Sequence, residues 1–65
     1  MADLSVERAE LQAAELRIAD AMRLSTPGAR LDMLMREYRL ADDKMRSALA
    51  VALIGRAVAR ARVAA

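Results

Sequence analysis

The hydrophobic positions of the chain recur with helical spacing over most of its length. In the first third, Leu4, Leu11, Ile18 and Met22 follow one another at spacings of seven and four residues, which places them on one face of a helix. A weaker apolar strip lies almost opposite. We therefore predict a first helix over about residues 4–24, capped by Asp3 or Ser5 and in contact with two neighbours.

The segment "STPG" at residues 25–28 interrupts this pattern. Ser25 or Thr26 can cap a following helix, and Pro27 inside its first turn lacks an N–H that the start of a helix leaves unpaired anyway. The pattern therefore predicts a turn at residues 25–28 where the chain reverses. The expected fold is an all-α, antiparallel helical hairpin of coiled-coil type, in a single domain spanning residues 1–65.

No proline or turn cluster follows Ala29, and Gly55 alone costs a helix only about 1 kcal/mol relative to alanine. We therefore expect one long second helix over about residues 29–62. Its first half carries an apolar stripe that suits the stripe of the first helix. The expected intramolecular seam consists of Leu4, Leu11, Ile18, Met22, Leu31, Leu34, Met35, Tyr38 and Met45.

The stretch "SALAVALIG" at residues 47–55 carries no charged side chain. A helix rises 1.5 Å per residue, so a first helix of this length covers the second only to about residue 48. Beyond that point the apolar face turns, and we expect its side chains to contact another chain. The predicted partner-binding residues are Leu49, Val51, Leu53, Ile54 and Val58, within an apolar surface over residues 47–61.

The partner of this surface is either a second copy of the chain, giving a homo-oligomer, or another helical protein. In an alternative interpretation, Gly55 kinks the chain and the tail folds back over the hairpin as a third helix. That arrangement would remove the need for a partner.

Composition limits the sources of stability. A 65-residue chain buries only about 60% of the surface that its unfolded form exposes. It has no cysteine and no histidine, which excludes disulfides and the commonest metal ligand. Oligomerisation is the remaining means of stabilisation.

The same composition argues against an enzyme. Thiol nucleophiles and the usual general base are missing, there is no glycine-rich phosphate loop, and Lys44 is the single lysine. Asp42 and Asp43 are adjacent, and neighbouring positions of a helix point in different directions, so we interpret them as a solvated face. The sequence predicts no catalytic residues, no metal site and no cofactor.

Charge is distributed unevenly around a net value of +2. Residues 1–26 hold three basic and five acidic side chains, whereas residues 47–65 hold three basic and none acidic. Arg46, Arg56, Arg60 and Arg62 are candidate phosphate-binding residues, and the alternative function is a small basic regulator associated with nucleic acid. In the other interpretation, these arginines satisfy helix carboxyl ends and pair with acids of a neighbouring chain.

The segment "MADLSVERAELQ" has acids where a cleaved export signal has bases and an apolar core. The longest apolar stretch is also far shorter than the roughly 20 residues that a membrane-spanning helix needs. We expect a protein without a membrane span that is cytoplasmic, or exported without a cleaved signal peptide.

The order of a short helix, a proline-bearing turn and a long helix resembles the bacterial needle and inner-rod subunits of type III secretion. The resemblance is carried by "TP" at 26–27, Leu31, Leu34, "YRL" at 38–40 and "GRAVARA" at 55–61. Residues 35–54 are also similar to the small co-chaperone that keeps such needle subunits unpolymerised. The resemblance implies a non-catalytic protein in which residues 49–58 pack subunits together and the arginines line or flank a channel. The co-chaperone version implies a stable complex with one or two different chains.

Overall fold

The computed structural model describes residues 6–64, and its regular elements are three helices. Helix α1 spans Arg8–Met22, α2 spans Pro27–Leu40 and α3 spans Asp43–Ala64. Residues 6–64 contain no strand, so the prediction of an all-α fold is confirmed. None of these helices combines the length with the apolar character that crossing a membrane requires.

Helix α1 begins later than the sequence pattern predicts. Val6 and Glu7 are not helical, and Glu7 stands at the N-cap position without a side-chain capping hydrogen bond. Its carbonyl oxygen accepts the first helical hydrogen bond, from the N–H of Leu11 at 3.0 Å. The predicted caps Asp3 and Ser5, together with Leu4, lie outside the described residues.

The first connection occupies residues 23–26, two residues earlier than predicted. Thr26 caps α2, because its hydroxyl oxygen Oγ1 accepts a hydrogen bond from the N–H of Ala29 at 3.1 Å. Pro27 is the first residue of the helix, where a missing N–H is harmless. Of the two candidate caps, the structure uses Thr26.

The predicted continuous helix over residues 29–62 is wrong. Helix α2 ends at Leu40, Ala41 is extended with φ −77° and ψ 150°, and α3 starts at Asp43. The side chain of Asp42 caps α3, since its Oδ1 accepts from the N–H of Met45 at 2.8 Å. A capping carboxylate thus produces a break that neither glycine nor proline marks.

The two helix junctions are built in the same way. Four residues after each cap stands an arginine whose Nε donates to a carbonyl near the end of the preceding helix. Arg30 donates to the oxygen of Leu24 at 2.7 Å, and Arg46 donates to that of Tyr38 at 3.1 Å. The last carbonyls of a helix have no partner within it. At the second junction Arg46 therefore satisfies carbonyls of the last turn of α2, whereas Arg30 binds the connection itself, since Leu24 lies two residues beyond the end of α1.

The core lies between α1 and the first half of α3. Its largest fully buried side chains are Ile18 and Leu49. The buried cluster consists of Ala14, Ile18, Met45, Ala48, Leu49 and Ala52. Three of these six residues are alanines, whose small side chains let two helices approach closely. Gly55 does not bend the chain back, since α3 continues through it to Ala64, and the predicted alternative turn is therefore wrong at this position.

Helix α2 lies at the edge of this core and contributes no buried residue. Leu34 packs partly against the core. The guanidinium Nη1 of Arg17 also lies 3.0 Å from Oε2 of Glu37, which bridges α1 and α2.

The break after Leu40 corrects the predicted seam. Ile18 and Met45 lie in the core, and Leu11, Met22 and Leu34 pack partly against it. Three predicted seam residues on α2 are instead exposed, namely Leu31 at 60%, Met35 at 50% and Tyr38 at 45%. The reason is that the chain reverses after α2, at Ala41. Helix α3 therefore packs against the face of α1 that the sequence pattern assigns to these side chains.

The molecule is thin and open for its size. It measures 36 × 33 × 19 Å, and its radius of gyration of 12.3 Å exceeds the value of about 11 Å for a compact domain of this length. Its accessible surface is 5283 Å², whereas a compact monomer of the same mass exposes about 4,100 Å².

Candidate interaction surface

One side of α3 carries an apolar strip that the chain itself does not cover. We define the α3 strip as Val51, Ile54, Val58 and Ala61, whose spacings of three, four and three residues place them on one side of a helix. Ile54 is 64% exposed and Val58 is 43% exposed, whereas Val51 is half-buried. Every residue from 54 to 64 is exposed.

On the opposite side of α3, the residues are apolar in the first half of the helix and charged in the second half. Up to Ala52 it consists of the core residues Met45, Leu49 and their alanine neighbours. One and two turns further on, the same side carries Arg56 and Arg60, which are exposed. Because charge replaces apolar side chains there, the second half of α3 is unsuited to packing against α1.

The structure places some of the predicted partner-binding residues in the core and others on the exposed side of α3. Leu49 is 1% exposed and belongs to the chain's own core, so its assignment to a partner surface is corrected. Leu53 is partly buried and packs against the same core. Val51, Ile54 and Val58 stay on the free side of α3, where the α3 strip adds Ala61 to them.

A second group of exposed apolar side chains lies on α2. Leu31, Met35 and Tyr38 follow at spacings of four and three residues, so they share one side of the helix. The ring of Tyr38 also interacts with Arg46, whose guanidinium carbon lies 5.6 Å from the ring centroid. This distance fits a cation–π contact. Tyr38 therefore belongs to the junction of α2 and α3, whereas Leu31 and Met35 have free surface.

The four candidate phosphate-binding arginines do not form one cluster. The guanidinium of Arg46 is bound to the carbonyl oxygens of Tyr38 and Arg39 at the end of α2. It stands ten residues before Arg56, which corresponds to about 15 Å along the helix. Arg56, Arg60 and Arg62 are exposed, and within residues 6–64 none of them forms an ion pair.

A surface pocket of about 280 Å³ lies between the beginnings of α1 and α3. Its lining residues are Val6, Glu7, Glu10, Asp43, Lys44 and Ser47. The carboxylates give it an acidic character. Across residues 6–64, however, no three acidic, cysteine or histidine side chains are grouped as metal ligands.

Comparison with known proteins yields no match for this chain, whether to a protein-family model, to a curated protein or to a solved structure. The resemblance to secretion proteins therefore stays a prediction from the sequence. The exposed apolar surfaces of α2 and α3 are the features on which a function can be argued.

Proposed function

We propose that this protein is a non-catalytic assembly module that joins another helical chain through the α3 strip. The observation that carries the proposal is the exposure of Ile54 and Val58, one turn apart, on a helix whose first half contacts α1 and whose second half extends beyond that contact. In water these side chains hold apolar surface that a partner helix would cover. Covering it is favourable by roughly 25 cal/mol for each Å².

The free energy gained by covering the α3 strip indicates how large the interface must be. Fully burying a Val or Ile side chain contributes about 1.5 to 3 kcal/mol, and those of the α3 strip are already partly covered. Together they contribute about 5 kcal/mol, which only matches the lower estimates of the free-energy cost of association. A stable complex therefore needs contacts beyond the strip, and the apolar residues of α2 are candidates.

The open shape of the chain leaves room for such an interface. A typical stable interface takes about 800 Å² from each partner. The exposed second half of α3 and the exposed apolar residues of α2 are the surfaces that would supply this area.

A more specific proposal is that this assembly module is a subunit of a secretion apparatus or the co-chaperone of such a subunit. This proposal rests on the sequence resemblance alone. Both kinds of protein work by helix packing between chains. The exposed second half of α3 contains "GRAVARA" at 55–61, which is one of the segments that carry the resemblance.

Substitution of Ile54 by aspartate tests the assembly role. We expect light scattering on the purified wild-type protein to give a mass above 7.1 kDa, and Ile54→Asp to reduce it to that of one chain with helical circular dichroism retained. The matched control is Leu16→Asp, because Leu16 is 69% exposed but lies on α1, away from the α3 strip. It should leave the assembly intact. A wild-type mass of one chain at every concentration, with no co-purifying chain, would reject the proposal.

The alternative function, a regulator that binds nucleic acid, is favoured by one observation. Arg56, Arg60 and Arg62 are exposed, and no acidic residue follows position 43 in the sequence. Three neutralised phosphates give a log–log salt dependence of binding with a slope of about −2.7. Anisotropy measurements with labelled DNA at several salt concentrations check this, and a flat response contradicts the alternative.

A further inference from the structure

Two residues, Ala41 and Asp42, separate α2 from α3, and neither is a glycine or a proline. The connection between α1 and α2 is different. Pro27 lacks an N–H, and in a helix that continued from α1 its ring would clash with the carbonyl group of the residue four positions earlier. The junction of α2 and α3 contains no residue of this kind. Its bend therefore depends on the contacts that hold it.

Asp42 and Arg46 supply these contacts. In a continuous helix the carbonyl oxygens of Tyr38 and Arg39 would accept from N–H groups four residues later, and the N–H of Met45 would donate four residues back. In the structure the guanidinium of Arg46 donates to those two oxygens, at 3.1 and 3.2 Å. Oδ1 of Asp42 accepts the N–H of Met45 at 2.8 Å. Two side chains thus satisfy backbone groups that a continuous helix would pair with one another.

The apolar positions of α2 and α3 also follow one repeat across the junction. Leu31, Met35 and Tyr38 are four and three residues apart, Met45 follows after seven, and Leu49 after four more. Such steps keep to one side of a helix. A straight junction would therefore join the exposed side chains of α2 to the core residues of α3. Helix α2 has no buried residue to lose in this change.

From these contacts we propose that Ala41 and Asp42 form a hinge, held bent by Asp42 and Arg46, and that straightening it lets two copies of this chain exchange α3. The open chain contains one helix over residues 27–64, about 57 Å long. The longest dimension of the closed chain is 36 Å.

Exchange restores the core that straightening opens. Helix α1 is about as long as α2 and stays beside it, because only residues 23–26 connect the two. It therefore cannot follow the core side of α3, which packs on α1 of the second copy instead. The contacts around Ile18 and Leu49 are then the same as in the closed chain. The structure thus already contains the interface, and exchange of an identical element is a low-cost route to a dimer.

This form of association does not use the α3 strip, so its test starts from chains that carry Ile54→Asp. Asp42→Ala and Arg46→Ala are added separately, and each removes one side chain that holds the bend. Each chain is unfolded in urea and refolded at high protein concentration before its mass is measured by light scattering. We expect both variants to contain a several-fold larger fraction of two-chain species than Ile54→Asp treated in the same way.

Asp43→Pro is the matched variant that prevents straightening. Position 43 is the first residue of α3, where proline is well tolerated. The chain has this order already at the start of α2, where Pro27 follows the cap Thr26. In a continuous helix the proline would lack an N–H and clash with the preceding turn. Added to Arg46→Ala, it should restore the mass of one chain with helical circular dichroism retained.

A distance within one chain shows whether the two-chain species contains the straight helix. The chain has no cysteine, so Asp32→Cys and Arg62→Cys can carry two spin labels in the Arg46→Ala chain, diluted with unlabelled copies. In the straight helix the two positions are about 45 Å apart. That distance exceeds the 36 Å of the closed chain.

Other outcomes overturn the inference. A one-chain mass for both Asp42→Ala and Arg46→Ala would show that release of the bend leads to no exchange. A two-chain species that persists with Asp43→Pro, or whose labels stay within the length of the closed chain, would show that the junction does not straighten. Neither result bears on the α3 strip, which the masses of the wild type and Ile54→Asp test independently.

Discussion

At the scale of single residues, Asp42 determines where α3 begins. Its carboxylate accepts the N–H of Met45 at 2.8 Å, and its carbonyl oxygen accepts that of Arg46 at 2.9 Å. Arg46 in turn binds the last carbonyls of α2. Two side chains four residues apart thus connect the end of one helix to the start of the next.

We expect Asp42→Ala to lower the free energy of unfolding by about 1 kcal/mol, since it removes a helix cap. Asp42→Asn should retain most of the stability, because an amide oxygen also caps. The neighbouring acid provides the control: Asp43 lies in the first turn of α3 and favours the helix only through the dipole, so Asp43→Ala should cost less. Urea denaturation followed by circular dichroism measures all three. A larger loss for Asp43→Ala would contradict the assignment of the cap.

The two caps show what the sequence allows at this scale. Thr26 could be predicted because Pro27 follows it, and proline marks the first turn of a helix. The sequence analysis interprets Asp42 as a solvated acid, because the sequence pattern does not distinguish an exposed aspartate within a helix from one that caps its start. The arginine four residues after each cap does not distinguish them, because Asp32 and Arg36 have the same spacing inside α2.

At the scale of elements, α3 has two halves with different roles. From Met45 to Ala52 it supplies most of the buried cluster. Residues 54–64, the remainder of the described helix, are all exposed. Leu49 is buried in the core, whereas Ile54, five positions later and also large and apolar, is exposed.

Leu49→Ala should therefore destabilise the single chain by about 2 to 5 kcal/mol, through lost burial and a cavity. A domain of this length has a total stability of only about 3 to 10 kcal/mol, so the variant should lose a large share of its stability. Ile54→Ala should change the stability of the dilute monomer little. Urea unfolding at low protein concentration checks both. If Leu49→Ala abolished assembly without loss of stability, the original assignment of Leu49 to a partner surface would be restored.

The sequence predicted the properties of α3 better than its boundaries. The change of face past residue 49 follows from helical periodicity, and the exposed Ile54 and Val58 agree with it. The break at Ala41 could not be predicted from periodicity, because residues 38–46 all suit a helix. The side chain of Asp42 caps the new helix, and the burial of Met45 and Leu49 against α1 is the tertiary contact that accompanies the reversal.

At the scale of the whole molecule, three helices form a thin structure in which the second half of α3, residues 54–64, is exposed. Its accessible surface of 5283 Å² corresponds to about half of the surface of its unfolded chain. The expected value for a compact domain of this size is a burial of about 60%. The expectation of oligomerisation from length and composition stays a prediction, and the sequence analysis placed the uncovered surface too close to the core, since Leu49 is buried within the chain.

If association covers this surface, the melting temperature must depend on protein concentration, because binding that occurs only in the folded state adds stability by mass action. We expect the melting temperature of the wild type to rise steadily over a hundredfold increase in concentration. That of Ile54→Asp should stay constant. Thermal scans by circular dichroism in cells of different path length measure this, and equal behaviour of the two proteins would argue against assembly through the α3 strip.

The contact between Tyr38 and Arg46 makes the chain convenient to study. Tyr38 is its single aromatic side chain, and it lies at the junction of α2 and α3 with Arg46 5.6 Å from its ring centroid. The intrinsic ultraviolet fluorescence of the protein therefore originates at this one place. Its quenching and anisotropy provide a label-free optical reporter of whether the junction is closed, even in mixtures with partners that contain no tryptophan or tyrosine.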